Sequence, residues 1–223
     1  MTRLLALAAA ATCAVAVFAA PAGATNECKG LQVCVPVVGP WVAAGGGEQV
    51  AFQLACPKRF VVAGLDAELS RRGVDVTFRG SLGSPVNPGI TTSTSAQFLA
   101  RELTPGAPAT FRPHIGCVPA SGGGERYPTA YDVVRPRAAL VPTAVQIFVT
   151  PGTHRFVERC RKGARLVDAT HAIGFYTTAP PSPATVRSVV VEQSIVSGAV
   201  RLVVHAGALP GVKAIVQVDL DCA

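Results

Sequence analysis

Apolar residues recur at every second position through much of this chain. Val50, Phe52, Leu54 and Cys56 alternate with small or polar residues, as do Val61, Ala63, Leu65, Ala67 and Leu69, then Val74, Val76 and Phe78. The period returns in Ala109, Phe111, Pro113, Ile115 and Cys117, in Val145, Ile147 and Val149, and finally in Val216, Val218, Leu220 and Cys222. An extended backbone sends successive side chains to opposite faces, so a two-residue period marks a strand with one buried side. Further strands are expected over 31–38, over 166–176, 186–196 and 200–205, and at a sheet edge headed by Phe98. Turn residues punctuate them. Gly45-Gly46-Gly47 reads as a hairpin tip, Arg71-Arg72-Gly73 as the turn of a hairpin with Asp66 and Glu68 on its outer face, and Pro151-Gly152 and Ser197-Gly198 as two more turns. Residues 80–95 lack either period and read as a long loop. No segment carries a helical repeat, and the class is all-β.

Fixed markers suggest that the pattern occurs twice. Cys56 and Cys117 lie 61 positions apart, and Cys160 and Cys222 lie 62 apart. A phenylalanine precedes each opening cysteine (Phe52, Phe156), a lysine follows it (Lys58, Lys162), and Pro105-Gly106 and Pro210-Gly211 stand at one distance before the closing cysteines. The reading is two tandem, disulfide-stapled β-sandwich-like units arising from an internal duplication, with one extra residue early in the second. Units of this size suit a small sandwich, and a partly open barrel is the alternative. The first unit spans 25–118 and the second 143–223. A Gly/Pro-rich linker over 119–142 joins them, with the boundary near residue 125 and Tyr127 and Tyr131, close to Arg126, laid across the seam.

Residues 1–24 have the parts of a secretory leader: Arg3, an apolar run over 4–20, and Ala22-Gly23-Ala24 before the cut. Its removal leaves 19 basic against 13 acidic residues, +6 over 199 positions, with no membrane-spanning segment remaining. It also discards Cys13, so six cysteines stay in an oxidising compartment. The repeat selects one pairing: Cys56 with Cys117, Cys160 with Cys222, and Cys28 with Cys34 as a local clasp. The expected location is secreted or in the cell envelope.

Reactive motifs are sparse. The chain has no Gly-x-Ser-x-Gly elbow, His-Glu-x-x-His helix or Gly-Lys-Ser/Thr phosphate loop, and His114, His154, His171 and His205 are scattered. No catalytic residue, metal or cofactor is expected. Asp66 with Glu68, and Asp219 with Asp221, read as acids on solvated strand faces. When the copies are aligned by their strands, Asp66 falls opposite His171 and His114 opposite Asp219, which predicts an Asp–His contact inside each unit. Trp41, the one tryptophan, reads as a core plug. The densest positive charge is Arg155, Arg159, Arg161, Lys162 and Arg165, with Glu158 among them, a candidate polyanion-binding patch. The expected function is a non-catalytic binding or structural module whose partner is an anionic envelope polymer or another surface protein, with no nucleic acid. A secreted hydrolase with a site assembled from the long loops is the alternative.

Overall fold

A computed structural model describes residues 26–31, 33–45, 47–79, 94–104, 106, 108–120 and 143–223. The expected leader, most of the loop at 80–95, and the linker from 121 with its boundary and tyrosines lie outside the described residues.

The described chain is almost entirely extended. Its strands are β1 (Val35–Val38), β2 (Trp41–Ala44), β3 (Val50–Ala55), β4 (Phe60–Leu69), β5 (Val74–Arg79), β6 (Ser95–Glu102) and β7 (Ala109–Pro119) in the first half. The second half holds β8 (Thr143–Val149), β9 (Gly152–Arg159), β10 (Leu166–Tyr176), β11 (Val189–Val196), β12 (Ala199–Ala206) and β13 (Lys213–Cys222). One helical turn, α1 (Pro183–Arg187), precedes β11. Ser182 caps it by accepting from Thr185 N–H, and its last two residues, Val186 and Arg187, fall where the sequence pattern predicts the start of a strand.

These strands form three sheets. Two are three-stranded, ordered β3-β6-β5 and β11-β12-β9, and one is seven-stranded, running β1-β7-β2-β10-β13-β8 with β4 also on β7. Three expected hairpins are therefore crossovers. The chain passes from the large sheet to a small one between β2 and β3, between β4 and β5, and between β8 and β9, because alternation fixes which face of a strand is buried and leaves its partner open. The β11–β12 connection is a true hairpin, with Ser197 and Gly198 at positive φ. The strand headed by Phe98 is central in its sheet rather than at an edge, and Phe98 is fully buried.

The ladders repeat in register. Phe52 faces Phe98 where Phe156 faces Leu202, and Val76 faces Ala100 where Val191 faces Val204. Val62 faces Cys117 where Leu166 faces Cys222, each followed by a bulge, and Val42 faces Phe111 where Ile147 faces Val216. The extra residue of the second half comes late: one more position separates Ala206 from Ala214 than separates Glu102 from Ala109. Asp66 consequently corresponds to Thr170 and not to His171.

The halves are not separate sandwiches. They meet where β2 pairs with β10, Val42 opposite Gly174 and Trp41 opposite Phe175. Along β2 the side chains alternate between two cores: Val42 and Ala44 join the one around Phe52, Phe98 and Phe111, and Ala43 packs on the one around Phe175, Leu202 and Val216. β13 alternates likewise, with Ile215 in the first core and Ala214, Val216 and Val218 in the second. The small sheets thus cover opposite faces of the large one. Trp41 is buried at this junction, with the Arg112 guanidinium 5.8 Å from its ring centroid.

Three disulfides staple the layers: Cys56–Cys117, Cys160–Cys222 and Cys28–Cys34, with α-carbons 5.8, 5.9 and 5.6 Å apart. Each long bridge ties the end of a small-sheet strand to the large sheet. The short one closes the N-terminal segment, which lies on the outer face of β4 and β7. Asn26 N–H donates to Asp66 Oδ2 at 2.6 Å, and the Glu27 backbone rests where a β-carbon on Gly64 or Gly116 would overlap its carbonyl oxygen. The strand face carrying Asp66 and Glu68 is therefore partly covered rather than open to water.

Two outcomes are expected. Peptide mapping of the unreduced protein should recover the three bridges, and removing Cys160 and Cys222 together should lower the unfolding free energy in urea by about 4 kcal/mol. A bridge between Cys56 and Cys160 would contradict the layer assignment. Gly64→Ala should cost about 2 kcal/mol or more through backbone overlap with Glu27 and speed hydrogen exchange at Asn26, whereas Gly163→Ala, strained by its positive φ but far from this contact, should leave Asn26 protected.

Candidate functional site

The pleat sorts the basic cluster. On β9, Arg155, Val157 and Arg159 point outward and are exposed, while Phe156 and Cys160 pack toward the second core, on the side Glu158 shares. β12 lies alongside, with Arg201 directly opposite Val157 and therefore diagonal to both arginines. Diagonal neighbours in a ladder are about 7–8 Å apart, within reach of one ligand. Among the described residues none of the three arginines is in an ion pair. The same face carries Glu192 and the exposed apolar residues Val157 and Val190. Arg161, Lys162 and Arg165 are also exposed, but on the turn after β9, where Arg165 pairs its backbone with Ala223. The sequence pattern missed Arg201, which lies 42 positions from Arg159; only the β9–β12 register brings it in.

A second polar cluster is internal. Gln217 reaches from β13 to the free edge of β3, accepting from Gln53 N–H and donating to Gln53 carbonyl oxygen at 2.9 Å. Beside it Gln97 Nε2 donates to Asp219 Oδ2 at 2.9 Å. Asp219 is 3% exposed, so the expectation of a solvated acid fails for it, while Asp221 is exposed. Register explains the difference: Asp219 lies under the β3-β6 edge and Asp221 lies beyond it. Burial pushes the Asp219 carboxyl up to about 6, against the lowering effect of the Gln97 hydrogen bond.

The histidines serve separate structural contacts. His114 is 3% exposed and cross-strand from Asp66, yet its ring nitrogens approach Glu27 at 3.6 Å and Glu68 at 3.2 Å instead. His171 pairs with Val218 and hydrogen-bonds Gln193 at 2.9 Å, so the predicted Asp–His contact is not made in the second half. The late position of the extra residue is the reason. His154 bonds the Thr150 carbonyl oxygen at 2.9 Å and His205 the Thr153 hydroxyl at 3.1 Å. Among the described residues no three His, Cys, Asp or Glu side chains gather as metal ligands, and no helix is long and apolar enough to cross a membrane. Comparison with known protein families, curated proteins and solved structures finds no match.

Asp219 makes stability depend on pH in a definite direction. Between its ordinary value of 3.8 and about 6, the folded protein holds a proton that the unfolded chain releases, so this group's contribution falls as pH rises through that window. Asp219→Asn removes the dependence. Relative to the variant, the wild-type protein should lose on the order of 3 kcal/mol between pH 4 and pH 7 in urea titrations, and parallel curves would show that Asp219 ionises as freely in the folded state.

Proposed function

We propose that the chain is an exported, non-catalytic binding module of the cell envelope or surroundings, and that the outer face of β9 and β12 holds an anionic polymer. The observation that carries this reading is the group Arg155, Arg159 and Arg201, exposed and, among the described residues, without ion-pair partners on a disulfide-stapled sheet. Arginine forks grip phosphate, sulfate or carboxylate oxygens in two places, and fixed spacing on strands lowers the ordering cost of a multivalent contact. Val157 and Val190 among them offer apolar contact for a polymer backbone. The leader-like N-terminus and the even set of bridged cysteines support export.

The experiment is a titration of the protein lacking residues 1–24 with dextran sulfate and with a glycerol-phosphate polymer, repeated across salt concentrations. Binding should weaken steeply with salt. Changing Arg155, Arg159 and Arg201 to glutamine should lower the salt slope by about 2, as expected for three lost anion contacts. The same change at Arg161, Lys162 and Arg165 should cost less. Unchanged binding by the first triple variant would place the site elsewhere, and salt-independent binding would remove the electrostatic reading altogether.

A further inference from the structure

Where the β3-β6 edge lies over the end of the β10-β13 ladder, a cavity of about 160 Å³ remains between the layers. The large sheet supplies three carboxylates, Asp168, Asp219 and Asp221, together with Thr170, and the small sheet supplies Gln97 and an apolar wall at Leu99. Register places Asp168 opposite Asp221 and Thr170 opposite Asp219, so these four side chains share one patch of one face. Among the described residues no lysine, arginine or histidine lines the cavity.

Acidic residues on a surface would carry no ligand by themselves. Here the innermost is 3% exposed, and while its Oδ2 is held by Gln97, its buried Oδ1 receives no hydrogen bond from any described residue. Leaving a buried carboxylate oxygen without a donor costs more than making the bond gains, which favours a ligand that brings one. The repeat adds an independent argument. The positions matching Asp168, Thr170, Asp219 and Asp221 in the first half are Gly64, Asp66, His114 and Gly116. There the outer face is occupied: residues 26 and 27 lie on it, with an N–H donor delivered to Asp66. The same location on the sheet thus holds a donor-bearing segment in one half and a cavity lined by acids in the other.

We propose that this cavity binds a small alkylammonium ligand, its ammonium on Asp219 and its alkyl stem against Leu99. An ammonium carries three donors and the opposite charge, and it does not need the converging ligand set that a metal ion requires, which these side chains do not form. Asp168 Oδ1 already accepts from Ala169 N–H at 2.8 Å, so Asp168 and the exposed Asp221 act chiefly as charge at the mouth. The volume equals roughly five waters, room for an amine of about six heavy atoms.

The test is calorimetric titration of the protein lacking residues 1–24 with 1,4-diaminobutane at pH 7.5, with 1,4-butanediol and calcium chloride as comparisons. Saturable binding at about 1 mM or tighter is expected for the diamine, with none for the diol. Asp219→Asn should weaken it at least tenfold, and Asp221→Asn, at an exposed position that does not perturb the core, at least threefold. Affinity should also fall as pH drops through the ionisation of Asp219, with Asp168 and Asp221 the other titratable groups facing the cavity. Equal binding of the diol, unaltered binding by both variants, displacement of the diamine by calcium at equimolar concentration, or no saturable binding would each overturn the proposal.

Discussion

The structure depends on one strand being used from both sides. β2 is four residues long, yet Val42 and Ala44 complete the core of the first half while Ala43 enters that of the second. A sheet buried on both faces cannot shed apolar residues from either without opening a core, and this ties the halves together more firmly than a linker would. The pairing of Val42 with Gly174 and Trp41 with Phe175 is short, but it sets the phase of alternation on β10 and β13. From that phase it follows that Ile215 and Ala172 serve the first core, and that Gln217 and Asp219 meet the small sheet of the other half. Polar residues lie at this seam because the free edge of β3 ends there, and a buried strand edge must have its backbone groups satisfied. Gln217 does so with a single side-chain amide.

Repetition explains where function can differ between the halves. Positions that match Arg155, Arg159 and Arg201 in the first half are Ala51, Ala55 and Gln97. Ala51 and Gln97 are buried, because the outer face of that sheet is partly covered by the second half, and an arginine there would be stranded. Among the described residues nothing covers the matching face of the second half, which carries charge. On the large sheet the asymmetry runs the same way: Gly64 and Gly116 make room for the backbone of Glu27, whereas Asp168 and Asp221 line an open mouth. At these matched positions the ladder is covered in the first half and open in the second, and the side chains follow that difference.

Much of this was legible as alternation. Strand positions, the buried faces of Phe52, Phe111 and Val216, the three cysteine pairs and the repeat all follow from a two-residue period and from fixed spacings. Partners were not legible, because a strand's pattern names its buried side and says nothing of which neighbour supplies its hydrogen bonds. Hence β2 with β3, and β4 with β5, looked like hairpins. The position of the extra residue was likewise hidden, since sliding an alternating segment by one residue against its copy leaves several apolar matches intact. That slip carried Asp66 onto His171. Arg201 goes unnoticed and Asp219 reads as solvated for a related reason: each gains its role from a strand distant in sequence, Arg201 from β9 and Asp219 from β6.

The ladder repeat also bears on why the sheet stops at two units. At its far end, the positions of β4 that match Gly174 and Phe175, the residues receiving β2, are Ser70 and Arg71. β10 continues as strand through this stretch to Tyr176, but β4 has already ended at Leu69 and turned, and the Arg71 guanidinium is drawn onto Glu102. A third strand arriving there in the manner of β2 would meet a bend and an ion pair in place of an open edge, the device by which sheets discourage further pairing. The first half can thus lend a strand to the second, while the edge that would accept one from another copy is closed by the same residues that turn the chain into its small sheet.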